Sequence, residues 1–360
     1  MSRRVAVVGT LCALALVLAA APALAAGRVA LAVDDGYDLG FRQNQAGESF
    51  NQGDTATTTI RIANGLPGQA GYRMQKVKAR SWLKGKTTTF NFAGNLDDGS
   101  VGTNLPFGFP FFGLRYTSVS VTTNGWVGFG QAAWDYYPDS QSLSDIRNFY
   151  RGVFPYWTDL DLQTLPNSWV KKVVRKRDGM IAFQWRTGFH NGTPPVPRRT
   201  FQVVLFRDGR IRFDYPGVNS PSDPGEEQET IIAIGGARGN PTFHPYAIDT
   251  LKTPNRSILF TPKEVDATRS RRGTVRTTIP DGDGGTPDPF VGASPSCVET
   301  EMATATTTGL VRCSVPRIGP GQQKVLRVRW TATEVSRIYN WDTILRVEGK
   351  SLTDLERNQT

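Results

Sequence analysis

Histidine and cysteine are scarce in this chain, with two and three residues respectively out of 360. His190 and His244 both sit in Pro/Gly-rich surroundings, and neither belongs to a His-Glu-x-x-His helix. A Gly-x-Ser-x-Gly elbow is missing too, and Gly235-Gly236-Ala237-Arg238-Gly239 lacks the Lys-Ser/Thr that ends a phosphate-binding loop. These gaps remove the usual zinc hydrolase, serine hydrolase and nucleotide-binding signatures. Two cysteines after the N-terminal leader, with distant histidines, do not make a zinc ligand set. Helical 3.6-residue periodicity with caps is also lacking, and no second long apolar run follows the first.

That first run reads as a secretion signal. Arg3 and Arg4 precede an apolar core from Val5 to Ala20, and Ala23-Leu24-Ala25 is a small-x-small cleavage site. Cleavage is expected after Ala25, with residues 1–25 as signal peptide. The apolar stretch is shorter than the ~20 residues of a spanning helix, so no membrane span is expected after cleavage. The protein is then secreted and extracellular. In that compartment Cys297 and Cys313 are expected to form a disulfide, worth roughly 3 kcal/mol in the chain-entropy model; two free thiols are the alternative.

Charge is the next constraint. Loss of Arg3 and Arg4 with the leader lowers the formal charge from +10 to +8. The basic residues are spread along the chain, which argues against a nucleic-acid partner. Their densest group is Lys171, Lys172, Arg175, Lys176 and Arg177, beside the strand-forming Val173 and Val174. Such residues defend exposed strands against edge pairing or meet acidic surface polymers.

What the chain has in quantity is β-hairpin signal. In Leu105–Gly130, Ser118, Ser120 and Thr122 alternate with Thr117, Val119 and Val121, placing one set in the interior and the other in water. The alternation stops at Asn124-Gly125, a hairpin turn pair, and resumes at Trp126, Val127 and Phe129. Asp178-Gly179 separates Trp169–Lys176 from Met180–Trp185, and Asp208-Gly209 separates Thr200–Phe206 from Arg210–Tyr215. With 37 glycines and 23 prolines, the pattern predicts an all-β protein built as an antiparallel β-sandwich. Asp281–Pro289 is loop-forming. It fails as an EF-hand because its oxygens miss the alternate positions and no Glu closes twelve residues.

The stretches Leu96-Asp97-Asp98-Gly99-Ser100, Leu105–Gly113, Val119–Gly130, Phe154–Asp161, Phe183-Gln184-Trp185 and Phe201–Tyr215, in that order, resemble the nidogen-like domain over residues 82–262. The resemblance implies an extracellular β-sandwich used in adhesion and matrix assembly, without a catalytic group. Thr274–Gly282, Phe290–Cys297, Val311–Val315 and Gly319–Gln322 resemble the later half of an Ig-like repeat of bacterial surface proteins, and Gly53–Gly65 resembles its early half. The expected organisation is an N-terminal β segment 26–81, a nidogen-like sandwich 82–262, a linker 263–292 and an Ig-like β domain 293–360. Two arrangements stay open: the central sandwich inserted into one Ig-like domain, or separate beads in a row.

The candidate binding residues are Trp134, Asp135, Tyr136, Tyr137, Trp157, Asp159 and Asp161. Exposed aromatics stack on sugar faces or anchor a protein partner; the alternative places them at one end of the core. Asp159 and Asp161, two apart on a strand, share a face. A carboxylate pair on one strand lies on one side of a sugar, whereas glycoside hydrolysis needs flanking acids. That leaves a cation site, calcium foremost, or hydrogen bonds to loop amides. No cofactor is expected. The expected function is a non-catalytic binding or adhesion protein with an extracellular protein or glycan as partner. A structural spacer and a secreted hydrolase with an unrecognised site are the alternatives.

Overall fold

Period-two runs become strands along most of the chain. The computed structural model describes residues 25–26, 29–34, 55–130, 151–190, 196, 198–216, 230–236, 243–248, 254–266, 271–279, 289–304, 307, 309–331, 341–347, 350–351 and 357–358. These residues are nearly all β, with a single 3-10 turn at Lys176–Asp178. The all-β sandwich class expected from the hairpin signals is what the chain adopts.

Two antiparallel sheets form the central sandwich. An eight-stranded sheet runs, in spatial order, through Tyr72–Val77, Ser257–Pro262, Ile211–Asp214, Arg199–Phe206, Met180–Phe189, Trp169–Arg175 and Lys86–Thr89, and Leu160–Asp161 adds to Met180–Phe189. The facing six-stranded sheet runs through Phe243–Ile248, Ile231–Gly236, Arg151–Trp157, Val127–Gly128, Leu114–Thr122 and Ser100–Phe111. Between them lies an aromatic-rich core that includes Phe109, Phe111, Phe129, Trp185 and Phe201, all fully or almost fully buried. Arg151–Trp157 is buried at every position, as expected of a central strand covered on both faces.

The three turn pairs are hairpin turns. Val121 pairs with Val127 across Asn124-Gly125, Arg175 with Met180 across the Asp178-Gly179 turn, and Leu205 with Ile211 across Asp208-Gly209. Gly125 has φ +84°, and a Cβ there would lie 2.1 Å from the Tyr156 carbonyl oxygen; only glycine fits. A further tight turn at Phe112-Gly113 joins Ser100–Phe111 to Leu114–Thr122, with positive φ at both residues. One expectation needs correcting: Ser120 and Thr122 do not face water. Both are buried, because each face of this strand is covered at that end, and the Ser120 hydroxyl meets that of Ser100 at 2.6 Å.

A second sandwich joins the ends of the chain. Thr55–Asn64 pairs along its whole length with Gln322–Thr331, with Thr59 opposite Arg327; Val29–Asp34 and Phe290–Ala293 flank them. Its other sheet centres on Arg271–Ile279, which lies inside the stretch read as linker and pairs with Gly309–Ile318 and Trp341–Val347. Ile60, Ile62, Val275, Val328 and Trp330 fill a core separate from the first. Cys297 and Cys313 face each other on adjacent strands and form the disulfide, with S–S 2.03 Å. The first and last strands of the central sandwich are neighbours, with Tyr72 opposite Pro262. The chain therefore enters and leaves it at one place. Gln323 clasps the Arg115 backbone across the junction, accepting from its N–H at 2.7 Å and donating to its carbonyl at 3.0 Å.

Residues 78–84 cross the outer face of the eight-stranded sheet from one edge to the other. Beneath them runs a row of buried polar side chains, one from each of four adjacent strands: Ser257, Asp214, Gln202 and Gln184. The Gln202 amide fills all four of its hydrogen-bonding positions. It donates to the Ser81 carbonyl and Asp214, and accepts from the Leu83 N–H and Gln184. Gln184 also donates to the Leu83 carbonyl at 2.9 Å, and the Ser257 hydroxyl accepts from the Arg80 N–H at 3.0 Å. Leu83 packs on Val173, Ala182 and Val204. Replacing Gln202 with Leu orphans these buried groups, at about 1–3 kcal/mol. The Gln202→Leu variant should unfold at lower denaturant, and trypsin should cut it faster at Lys78, Arg80 and Lys84.

Candidate functional site

Four loops meet at one end of the central sandwich. In the first, Asn95 accepts the Asp98 N–H at 3.0 Å and curls the chain so that Asp97 and Asp98 project together. The second is the Asn124-Gly125 turn. Thr123 holds it against the first loop, exchanging hydrogen bonds with Gly99 and donating to the Asp97 carbonyl. Asn124 is buried; its amide donates to Asp98 Oδ1 at 3.0 Å and accepts the Leu160 N–H at 2.8 Å. The third carries Asp159 and leads into the short Leu160–Asp161 strand. At the fourth, the Met180–Phe189 strand is followed by His190, whose N–H donates to the Asp159 carbonyl at 3.2 Å.

The side chains converge as a result. His190 Nδ1 lies 2.9 Å from Asp97 Oδ1 and 3.6 Å from Asp161 Oδ2. Ligand-capable atoms of Asp97, Asp161 and His190 all fall within 4.8 Å of one another, and so do those of Asp97, Asp98 and Asp159. Asp97 belongs to both groups. Burial raises the proton affinity of its carboxyl from the ordinary value, and neighbouring Asp98 adds to the effect. Partial burial pulls the other way on His190, but the carboxylates of Asp97, Asp159 and Asp161 outweigh it and raise its imidazole. The cluster thus holds a proton on His190 more tightly than free imidazole would.

Two kinds of chemistry suit this arrangement. Asp97, Asp98 and Asp159 form an oxygen-only set of the type hard cations take. With His190 protonated, its single positive charge offsets part of the repulsion among the carboxylates. Asp161 is committed to its own loop: its carboxylate accepts from the Gln163 N–H and the Thr164 hydroxyl, and its carbonyl accepts from Thr187 at 2.7 Å.

Of the residues singled out in the sequence, Asp159 and Asp161 are in this cluster. Trp157 points elsewhere. It is fully buried against Phe154 and Trp126, at ring distances of 5.3 and 5.8 Å. Trp134, Asp135, Tyr136 and Tyr137 lie outside the described residues. The site members that sequence reasoning did not pick were Asp97, Asp98, Asn124 and His190. The first three occur in turn motifs, and their local signal was a bend rather than a ligand.

A family model described as NIDO related matches residues 71–269. Similar curated proteins include alpha-tectorin from Homo sapiens and from Mus musculus, each 26% identical over 176 residues. Each match covers 41% of this chain and 8% of the relative, so the chain spans only a small part of their length. No helix among the described residues is long and apolar enough to cross a membrane.

The raised His190 value fixes the sign of a pH effect. Stability from the imidazolium is complete below the unfolded-state value of about 6.5 and is lost as pH rises through the higher folded value. In chelator-containing buffer the melting temperature should fall as pH increases above neutrality. The His190→Gln variant should lack that fall, as melting curves from pH 6 to 9 would show.

Proposed function

The chain belongs to the NIDO-related family, and from that premise we propose that it is a secreted, non-catalytic binding protein of an extracellular surface or matrix. The observation carrying this reading is the gathering of four loops at one end of a rigid sandwich, tied by the Asn124 and Thr123 bonds. A rigid scaffold with clustered loop side chains is how binding surfaces are commonly built. The Cys297–Cys313 disulfide supports an oxidising, extracellular setting. The extracellular role named for the nidogen-like resemblance points the same way.

We read the organisation as an Ig-like domain interrupted by the central sandwich. Thr55–Asn64 and Gln322–Thr331 supply adjacent strands from the two sides of the interruption, and the paired Tyr72–Val77 and Ser257–Pro262 strands supply its neck. Insertion is tolerated where the ends of the inserted unit lie close together. The Gln323–Arg115 clasp holds the two bodies against each other, which also suits a rigid spacer in a larger assembly.

Three measurements test these statements. The protein expressed with residues 1–25 should be exported, with a mature N-terminus at Ala26 by N-terminal sequencing. The mature protein should bind saturably to envelope or matrix polymers of the producing cells, and Trp134→Ala with Tyr137→Ala should weaken that binding while barely changing the melting temperature. Absence of saturable binding would leave the spacer reading. A variant with residues 71–263 replaced by a short Gly/Ser linker should still fold, with the disulfide formed and Trp330 fluorescence blue-shifted.

A further inference from the structure

At the Lys86–Thr89 edge of the eight-stranded sheet, well away in the chain from the acidic loops, lies a groove of about 690 Å3. Its volume is within the ~300–1,000 Å3 range of ligand sites. Lys86, Lys172, Arg175, Lys176 and Arg177 line it, against one acid, Asp178, which is already paired with Arg175. Arg207 extends the basic rim by donating to the Lys176 carbonyl at 3.3 Å. Thr88 and Val174 add a hydroxyl and an aliphatic surface. We propose that this groove is a binding site for an acidic polysaccharide, its lysines and arginines meeting anionic groups along the chain while Val174 and the Thr88 hydroxyl meet the sugar.

Edge protection asks for charged side chains on the edge strand itself, which here is Lys86–Thr89. Lys172 does not conform. It is half-buried on the inward face of its strand, its ammonium donating to Thr103 Oγ1 at 2.6 Å and standing 6.0 Å from the Phe90 ring. Among the described residues no carboxylate meets it. Burial accordingly lowers its proton affinity. A cation held partly out of water without an acid recovers that loss when a fixed anion arrives. The strand register keeps the groove in shape, since Lys86 lies opposite Val174 and Thr88 opposite Lys172. The hairpin after Arg175 then presents Lys176 and Arg177 on the exposed 3-10 turn.

An amphipathic sugar chain matches this lining better than a nucleic acid does. Single-stranded nucleic acid adds base stacking on aromatic platforms to its phosphate contacts; the groove lining contains no aromatic side chain, so a ligand here is held through its anionic groups and by Val174 and Thr88. The proposal rests on the extracellular reading, because the ligand class is a surface or matrix polymer.

The test uses the mature protein and four immobilised probes: a uronic-acid polymer, dextran sulfate, a teichoic acid and neutral dextran, with single-stranded DNA alongside. The first three separate carboxylate, sulfate and phosphate as the source of charge. At least one should bind and dextran should not. A Lys86→Ala/Lys176→Ala/Arg177→Ala variant should weaken that binding by about tenfold or more. A Arg276→Ala/Arg312→Ala/Lys324→Ala variant, with equal charge loss on the second sandwich, should change it little. Lys172→Gln adds a separate probe of the inner end of the groove and should also weaken binding. Equal losses from both triple variants, DNA binding as tight as the best polysaccharide, or no binding to any acidic polymer would each overturn the proposal. Failure here with normal export leaves the extracellular reading standing; failure of export removes that reading itself.

Discussion

Four polar side chains in a row, Ser257, Asp214, Gln202 and Gln184, hold the central sandwich in its observed form. Each comes from a different strand, and together they form a hydrogen-bonded line across the outer face of the eight-stranded sheet. Arg212 adds three bonds to Asp214, two from Nε at 2.8 and 3.1 Å and one from a terminal nitrogen at 2.9 Å. Left open, such a row would cost free energy on burial. It is satisfied because residues 78–84 lie over it and supply backbone groups at the required positions. The row thereby fixes the path from one edge strand to the other, and Leu83 comes down on the small apolar cluster of Val173, Ala182 and Val204.

That crossing has consequences for both the acidic cluster and the basic groove. It delivers the chain to the Lys86–Thr89 edge, where Lys86 and Thr88 become one wall of the basic groove. It then leads the chain to Asn95 and the Asp97–Asp98 turn. Acid and base are thereby segregated: carboxylates gather with His190 at the loop end, and lysines and arginines gather at the sheet edge. The two regions meet opposite problems. The carboxylates repel one another and are relieved by a proton on His190. The half-buried Lys172 has a hydroxyl where an anion would serve it better.

Much of the architecture was legible from local pattern. The turn pairs Asn124-Gly125, Asp178-Gly179 and Asp208-Gly209 mark real hairpins because positive φ at a glycine is a local requirement. The cysteine pair was expected because the third cysteine, Cys12, sits in the N-terminal apolar run, and the bond between Cys297 and Cys313 bears that out. The candidate site was only half visible. Asp159 and Asp161 attracted attention by their spacing, whereas Asp97, Asp98 and Asn124 looked like ordinary turn residues and His190 like a loop histidine. Alternation in Thr117–Thr122 misled in a specific way: it assumes one wet face, and Ser120 and Thr122 lie where both faces are covered.

The sequence by itself determined the strand class and the sites of tight turning. Each of these depends on residues within a few positions of one another, where backbone sterics and period-two patterning act directly. Only the tertiary structure decided that Thr55–Asn64 lies beside Gln322–Thr331, that Gln202 serves the backbone of residues 81 and 83, and that Asp97 faces His190. Those contacts join residues roughly a hundred or more positions apart. They arise from the order in which strands are paired and from the need to satisfy buried polar groups, neither of which any short window of sequence contains.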